Sequence, residues 1–412
     1  MNIKFITLFF GFIIPVISFA QSKDIEYFLS NGINNSPLLY ELRNNILTAG
    51  IDSALIVAAN RYQLSGNGNA YYAPIIKGYG YDNAITNGQQ LSAIIALNKQ
   101  IYNKRNLSLQ FADLQIQKDS IKITSAISTK DIRKIIIGQY ITVYSDQLQI
   151  DFNKELSGLL NRQESILKKL TQKNVYNQVD YLSFLITVQQ NSLTGNQLEV
   201  QYKNDFATLN YVAGIFDTTY LKLAEPDLQV INSFITDSSA FFLKYKLDSL
   251  RLRNTVALID LGYKPKVSLF ADAGYQSSFE INPYKNFGTS VGINFSIPIY
   301  DGKQKKLQYQ KVSILERTRQ RNRDFFQNQY YQQIAQLQQQ ISAIETLREP
   351  INKQIKFLET LIEANGKLLE TGGIKITDYI LALNNYITAK NLLVQNMISR
   401  YQVINQLNYW NK

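Results

Sequence analysis

The chain runs through one structural plan twice. Tyr102 falls on Tyr300 at an offset of 198 residues, and the same offset carries Lys169-Leu170 onto Lys367-Leu368, Asp180-Tyr181 onto Asp378-Tyr379, Gln197 onto Gln395 and Leu209-Asn210-Tyr211 onto Leu407-Asn408-Tyr409. No gap is needed between the first and last of these matches, so both halves must build elements of equal length. Upstream the offset is 203, set by Leu64 on Val267. The first copy therefore holds about five extra residues between its paired strands, where a hairpin connection absorbs a length difference with least harm.

Each copy reads as helix, two strands, very long helix, turn and shorter helix. Ser290, Gly292, Asn294 and Ser296 alternate with Val291, Ile293, Phe295 and Ile297, and Gln90, Ser92 and Asn98 alternate with Leu91, Ala93, Ile95 and Leu97. A strict period of two with one apolar and one small polar face fits a soluble sheet on a core or a barrel strand between lipid and an aqueous lumen. Strands of about ten residues favour the barrel, as do Tyr71, Tyr72, Tyr79, Tyr81, Tyr275, Tyr284 and Phe287, which cluster near strand ends like an interfacial girdle. After Tyr102 and Tyr300 the period becomes helical. Asp301 to Thr371 would span roughly 105 Å as one α-helix. Leu337, Ile341, Ile344, Ile351, Ile355, Leu358 and Ile362 follow a coiled-coil rhythm, so this helix must pack beside others in an extended bundle. Pro350, inside that pattern, predicts a bend or break in one copy only, because its equivalent is Phe152.

The long helices are expected to reverse at 173–180 and 371–378, around Asn174-Val175 and Gly372-Gly373, where Asn174 and the two glycines are suited to a positive φ. Asp180 and Asp378, the latter preceded by Thr377, stand at the start of the returning helices. There they cap or complement the helix N-terminus, and in an oligomer they could also form a negatively charged constriction or partner contact.

Composition narrows the chemistry. The 412 residues include no Cys and no His, which removes Cys-His and Ser-His catalysis, His-ligated zinc and disulfides, and no cofactor or metal site is expected. Asp272 and Asp301 are the carboxylates an exported hydrolase could use, but neither has a partner at a spacing that fits paired acid–base work, and the chain reads as a non-enzyme. The net charge of +11 is scattered over helices rather than gathered in a patch, which argues against nucleic acid. Residues 1–20 read as an export signal, with Lys4, an apolar stretch from Phe5 to Phe19 and Ser18-Phe19-Ala20 before Gln21. The expected domains are that signal, a first repeat over 21–212 with its hairpin at 63–102, a linker over 213–239, and a second repeat over 240–412 with its hairpin at 265–300.

These features resemble the TolC family of outer-membrane efflux proteins. The resemblance rests on the duplicated strand-to-helix junctions, with Phe295-Ser296-Ile297-Pro298-Ile299-Tyr300-Asp301-Gly302-Lys303 the better preserved. It rests also on the Gly-containing turn before Thr377-Asp378-Tyr379-Ile380-Leu381 and on Pro265-Lys266-Val267-Ser268-Leu269. It covers nearly the whole mature chain and implies an α+β membrane protein: a homotrimer with four strands per subunit in a twelve-stranded β-barrel, continued by an α-helical coiled-coil barrel through the periplasm. Implied partners are outer-membrane lipid, a periplasmic adaptor at the helical turns, and an inner-membrane RND or ABC transporter that chiefly decides the cargo. The implied role is the exit duct of an efflux pump or type I secretion system. Tyr102, Pro298, Tyr300 and Gly302 would shape the strand–helix junctions, with Gln100 in place of proline in the first copy, and 213–239 would wrap the middle of the tube. The alternative is a soluble periplasmic coiled-coil scaffold or adaptor, in which duplicated strand pairs have no evident task.

Overall fold

Local sequence signals set most of the element boundaries. A computed structural model describes residues 23–82, 84, 88–101, 104–231, 239–279 and 282–410; the export signal and Tyr102 lie outside the described residues. Helix α1 (Ile25–Asn34) starts at Asp24, whose carboxylate accepts from the Tyr27 amide at 2.9 Å. Helix α2 (Pro37–Ala59) starts at Ser36, whose hydroxyl accepts from the Leu39 amide, with proline at the first helical position where a missing N–H costs nothing. There follow β1 (Gln63–Tyr72), β2 (Gln89–Ile101), α3 (Lys104–Gln172) and α4 (Gln178–Val212). The second half supplies α5 (Ala240–Gly262), β3 (Lys266–Ser277), β4 (Phe287–Ser296), α6 (Gln304–Thr371) and α7 (Ile376–Trp410).

One compact unit comprises 36–131, 231–336 and 409–412 and holds the sheet. Its four strands are antiparallel in the order β1-β2-β3-β4. Leu64 pairs with Leu97 and Val267 with Phe295, the residues that the offsets of 203 and 198 place on one another. The hairpin register thus repeats residue for residue, and the length difference falls in the connection between the strands. The helical part of this unit is knitted by aromatic rings: Phe241 lies 5.2 Å from Trp410, and Phe242 lies 5.2 Å edge-on to Tyr330.

Two sequence expectations fail locally. Tyr300 is not a strand terminus: β4 ends at Ser296, and Ile297 to Tyr300 carry no ladder pairing. The β3–β4 ladder ends at Lys266 opposite Ser296, just as the β1–β2 ladder ends at Gln63 opposite Asn98; β2 runs on to Ile101 because it also pairs with β3 on its other side, a second partner that the edge strand β4 lacks. Pro350 does not break α6, which is helical from Gln304 to Thr371. Proline removes one hydrogen bond, but Leu337 before it and Ile351 and Ile355 after it are all buried, and this packing outweighs the local cost.

The other unit comprises the chain up to Asn35 with 132–230 and 337–408. It contains two apolar clusters. One joins Leu160, Leu167 and Phe184 of the first half to Ile362, Leu369 and Tyr379 of the second, and the other gathers Phe28, Ile136, Tyr140 and Phe206. The irregular segment after α4 lies against this unit, and helix side chains take up its backbone groups. Tyr140 Oη donates to Ala224 O at 2.7 Å, Tyr202 Oη to Leu221 O at 2.7 Å, and Gln147 bonds Leu223 through both its amide and its carbonyl. From the second half, Asn408 Nδ2 donates to Gln229 O and Tyr401 Oη to Glu225.

Asp146 is buried here, with one carboxylate oxygen lacking a hydrogen-bond partner. Burial, and after it Asp205, push its pKa up to about 7. Because the folded value lies above the unfolded one, the folded state holds a proton that the unfolded state has released, and stability falls as pH rises from about 4 through about 7. Asp146→Asn, which cannot ionise, should raise the melting temperature by a few degrees at pH 8 and leave it unchanged at pH 4, as read by circular dichroism.

Candidate channel-forming and docking surfaces

The strand register sorts every sheet residue onto one of two faces. Directly paired residues share a face, so Leu64, Leu97, Ala271 and Val291 lie in one row, and Ile95 and Ala273 lie in the next. The opposite face carries Asn67, Asn69, Ser92, Asn98, Ser268, Asp272, Ser290 and Asn294. The apolar face is uncovered in the chain: Val291, Ile293 and Phe295 are 83%, 69% and 65% exposed. Tyr72, Tyr79, Tyr81, Tyr284 and Phe287 are exposed near the strand ends and connections, and Tyr275 is half-buried. Both outer strands, β1 and β4, present one unpaired backbone edge. Among the described residues no helix is long and apolar enough to cross a membrane.

The glycines of this sheet serve close packing. Phe270 lies across Gly292, where a Cβ would sit 2.4 Å from its ring, and a Cβ on Gly274 would stand 2.2 Å from the Ala93 carbonyl oxygen.

At the second strand–helix junction Gly302 and Lys303 both adopt positive φ, 62° and 69°. Asp301 holds this turn by accepting from the amides of Lys303 at 2.9 Å and Lys305 at 2.8 Å, so it caps α6. A hydrogen bond from Tyr263, then those amides, keep its carboxyl below the usual range. Lys305 in turn pairs with Asp260 at 3.0 Å, and Tyr309 donates to the same carboxylate. The junction is thereby clamped to the end of α5. Pro298 and Tyr300 are exposed there. Asp272 accepts from Ser290 at 2.7 Å across the strand pair.

The turns at the other ends of α3 and α6 are equivalent in detail. Asn174 and Gly372, one repeat apart, take φ of 59° and 75°. The Val175 amide bonds Leu170 O at 3.0 Å and the Gly373 amide bonds Leu368 O at 2.8 Å. The Asn174 and Gly372 amides bond Thr171 O and Leu369 O, completing the same helix-ending pattern twice. The structure brings the two turns together. A Cβ on Gly372 would stand 2.7 Å from a methyl of Val175, and Tyr176 Oη donates to Leu369 O at 3.1 Å and Ile374 O at 2.9 Å. Asp180 and Asp378 occupy the first turns of α4 and α7, with Thr377 exposed beside the latter. The cap of α4 is Asn177, whose side chain accepts from the Asp180 amide at 2.7 Å, so Asp180 complements the helix end rather than capping it.

Sequence reasoning passed over Tyr176 and Asn177. The signal for Asn177 was present as an Asn three residues before an acid, ahead of an apolar run. Tyr176 offered none, because its partners lie across the repeat. The copies also differ inside. Tyr181 donates to Glu164 at 2.6 Å, but the residue equivalent to Glu164 is Ile362, so the hydroxyl of the equivalent, buried Tyr379 has no hydrogen-bond partner. The buried chain of Asn153, Asn191 and Ser157 is matched in the second copy by Ile351, Ala389 and Ile355.

An antiparallel four-stranded sheet together with two helices of nearly seventy residues is a fold shared with solved outer-membrane channel proteins. The chain is similar in structure to the outer membrane protein VceC from Vibrio cholerae, with a TM-score of 0.75 at 11% identity over 94% of this chain and 95% of that one. It is similar to the CmeC outer membrane channel of Campylobacter jejuni, at 0.71 and 13% over 94% and 85%. It is similar also to the open state of the MtrE outer membrane channel of Neisseria gonorrhoeae, at 0.72 and 8% over 94% and 88%. No protein-family model matches the sequence, and no curated protein matches it. What is shared at these identities is the fold.

The contact at Gly274 yields a direct expectation. Gly274→Ala must displace the backbone of β2, whereas Gly288→Ala, on the paired residue with open space around it, displaces nothing. The first variant should lose about 1–3 kcal/mol of unfolding free energy in urea and the second less than about 0.5. Equal midpoints for the two would show that the approach at Gly274 is not constraining.

Proposed function

We propose that this chain is the subunit of a homotrimeric outer-membrane channel that extends into the periplasm. In this reading it is the passive exit duct of an efflux pump or type I secretion system. The observation that carries this is the sheet, with one face mainly apolar and Leu64, Val291, Ile293 and Phe295 exposed on it, the other face mainly polar, and two unpaired edges. In lipid every backbone group must be satisfied internally, so such edges require closure, and three copies close a barrel of twelve strands with the apolar face on lipid and the polar face on water. A soluble scaffold would instead leave Val291, Ile293 and Phe295 in water.

No catalytic step is assigned. Asp272 is engaged by Ser290 across the strands and Asp301 holds the turn into α6, which accounts for both carboxylates without acid–base chemistry. The paired turns with Asn174, Val175, Gly372 and Gly373 would form the periplasmic tip and meet an adaptor, which links the duct to an RND or ABC transporter of the inner membrane. Asp180 and Asp378 would set a negative field at that mouth.

The test is biochemical and electrical. The protein should fractionate with outer membranes as a heat-modifiable oligomer and conduct in planar bilayers with a preference for cations. Asp180→Asn combined with Asp378→Asn should weaken that preference several-fold. Recovery of the mature chain as a soluble monomer would overturn the channel reading, and an unaltered cation preference in the double variant would remove the carboxylates from the mouth.

A further inference from the structure

The basic residues of the sequence are spread along its helices, but the two compact units do not share them equally. Residues 36–131, 231–336 and 409–412, the unit with the sheet, hold 25 Lys and Arg against 14 Asp and Glu. The other unit holds 18 of each, so the whole net charge of +11 belongs to the unit with the sheet. One end of the sheet takes most of that excess. The stretches 60–62, 99–106, 260–266 and 297–311, where helices meet strands, contain ten basic residues and two acidic ones. The strand connections at the opposite end, 73–88 and 278–286, contain two of each.

Neither acid is left over to neutralise its neighbours. Asp301 accepts from two backbone amides to cap α6, and Asp260 is taken by Lys305 and Tyr309. Arg61, Lys104, Lys264, Lys303 and Lys306 are exposed and form no ion pair among the described residues. Apolar side chains are exposed at the same level. Ile297, Ile299 and Tyr300 lie between the end of β4 and the start of α6, with Ile101 at the end of β2 and Leu307 in the first turn of α6. Lys99 shows how a cation settles here. It lies on the apolar face two residues past Leu97, and its ammonium turns back to the Asn60 carbonyl and over the Tyr62 ring at 5.2 Å from the centroid.

Unpaired cations beside exposed apolar anchors are the two features that hold a protein surface against an anionic bilayer interface. We propose that Arg61, Lys104, Lys264, Lys303 and Lys306 form a collar that binds the phosphate groups of anionic phospholipids, such as phosphatidylglycerol, in the leaflet on the helical side of the barrel. This rests on the channel reading, which sets the sheet in a bilayer, and adds to it a lipid preference confined to one leaflet. Each ammonium or guanidinium gains a charge-assisted bond to phosphate, and a zwitterionic headgroup offsets that gain with its own cation. The balanced charges at the other end of the sheet give no such preference there.

Native mass spectrometry of the detergent-solubilised full chain reads both the oligomer and each lipid bound to it. Phosphatidylglycerol should bind about tenfold more tightly than phosphatidylcholine, and this preference should fall several-fold between low and high ammonium acetate. Lys104→Gln, Lys264→Gln, Lys303→Gln and Lys306→Gln combined should bring the two lipids within about twofold of one another. Lys244→Gln, Lys246→Gln, Arg317→Gln and Arg321→Gln remove as many exposed charges from the same unit, away from the end of the sheet, and should keep the preference. An equal loss in both variants overturns the collar, because total charge rather than position then decides. A trimer without the preference, or with one indifferent to salt, overturns the collar and leaves the channel reading intact. Displacement of the lipid by glycerol 3-phosphate at matched concentration overturns a lipid occupant, and tighter binding of lipid A through the same lysines overturns the phospholipid. A monomer that stays soluble without detergent and binds no lipid overturns the channel reading and the collar together.

Discussion

Everything in this structure follows from a sheet that one chain cannot finish. Four strands bury neither of their faces and pair neither of their edges, and in water such a sheet would be an aggregation template. In the proposed channel, lipid would replace water on one face and further copies would replace the missing strands. In that proposal the polar residues of the other face, small and mostly uncharged, would line an aqueous passage that does not grip what moves through it. The rest of the chain places these four strands in register and gives the continuing helices something to pack against.

The repeat was legible because it depends on spacing alone. Alternation in β2 and β4, the heptads of α6 and the αL-suited residues at Asn174 and Gly372 are local signals, and the structure places elements where they point. The failures have a common physical origin. Tyr300 lies beyond the end of β4 because that edge strand has one partner, β3, which begins at Lys266 opposite Ser296, and an apolar alternation that continues past it has nothing to pair with. Pro350 fails to break α6 because buried neighbours on both sides of it hold the helix. The cap at Asn177 was overlooked beside the more conspicuous Asp180. Tyr176 and the residues that hold the segment after α4 act across large sequence separations, where no periodicity exists to be read.

The two halves kept their backbone and diverged in what they bury. The first helical pair encloses an Asn–Asn–Ser chain and a tyrosine bonded to Glu164, while the second has Ile351, Ala389 and Ile355 in place of the chain and a buried tyrosine hydroxyl without a hydrogen-bond partner. Buried polar chains specify alignment and apolar layers supply cohesion, so each half contributes what the other lacks. Retaining equal lengths through this divergence was necessary, because both turns must arrive at one place for Tyr176 to reach Leu369 and Ile374.

The segment held by Tyr140, Tyr202, Tyr401 and Asn408 also bears on the order of events as the protein matures. Its contacts join residues 84, 176 and 179 positions apart, so they cannot form until α3 and the last helix of the chain are both in place. Hairpins made from local contacts assemble first, and the segment closes around them last. It is thus a latch on a completed chain, and a chain that has not yet packed its two halves together leaves that latch unfastened and open to proteolysis.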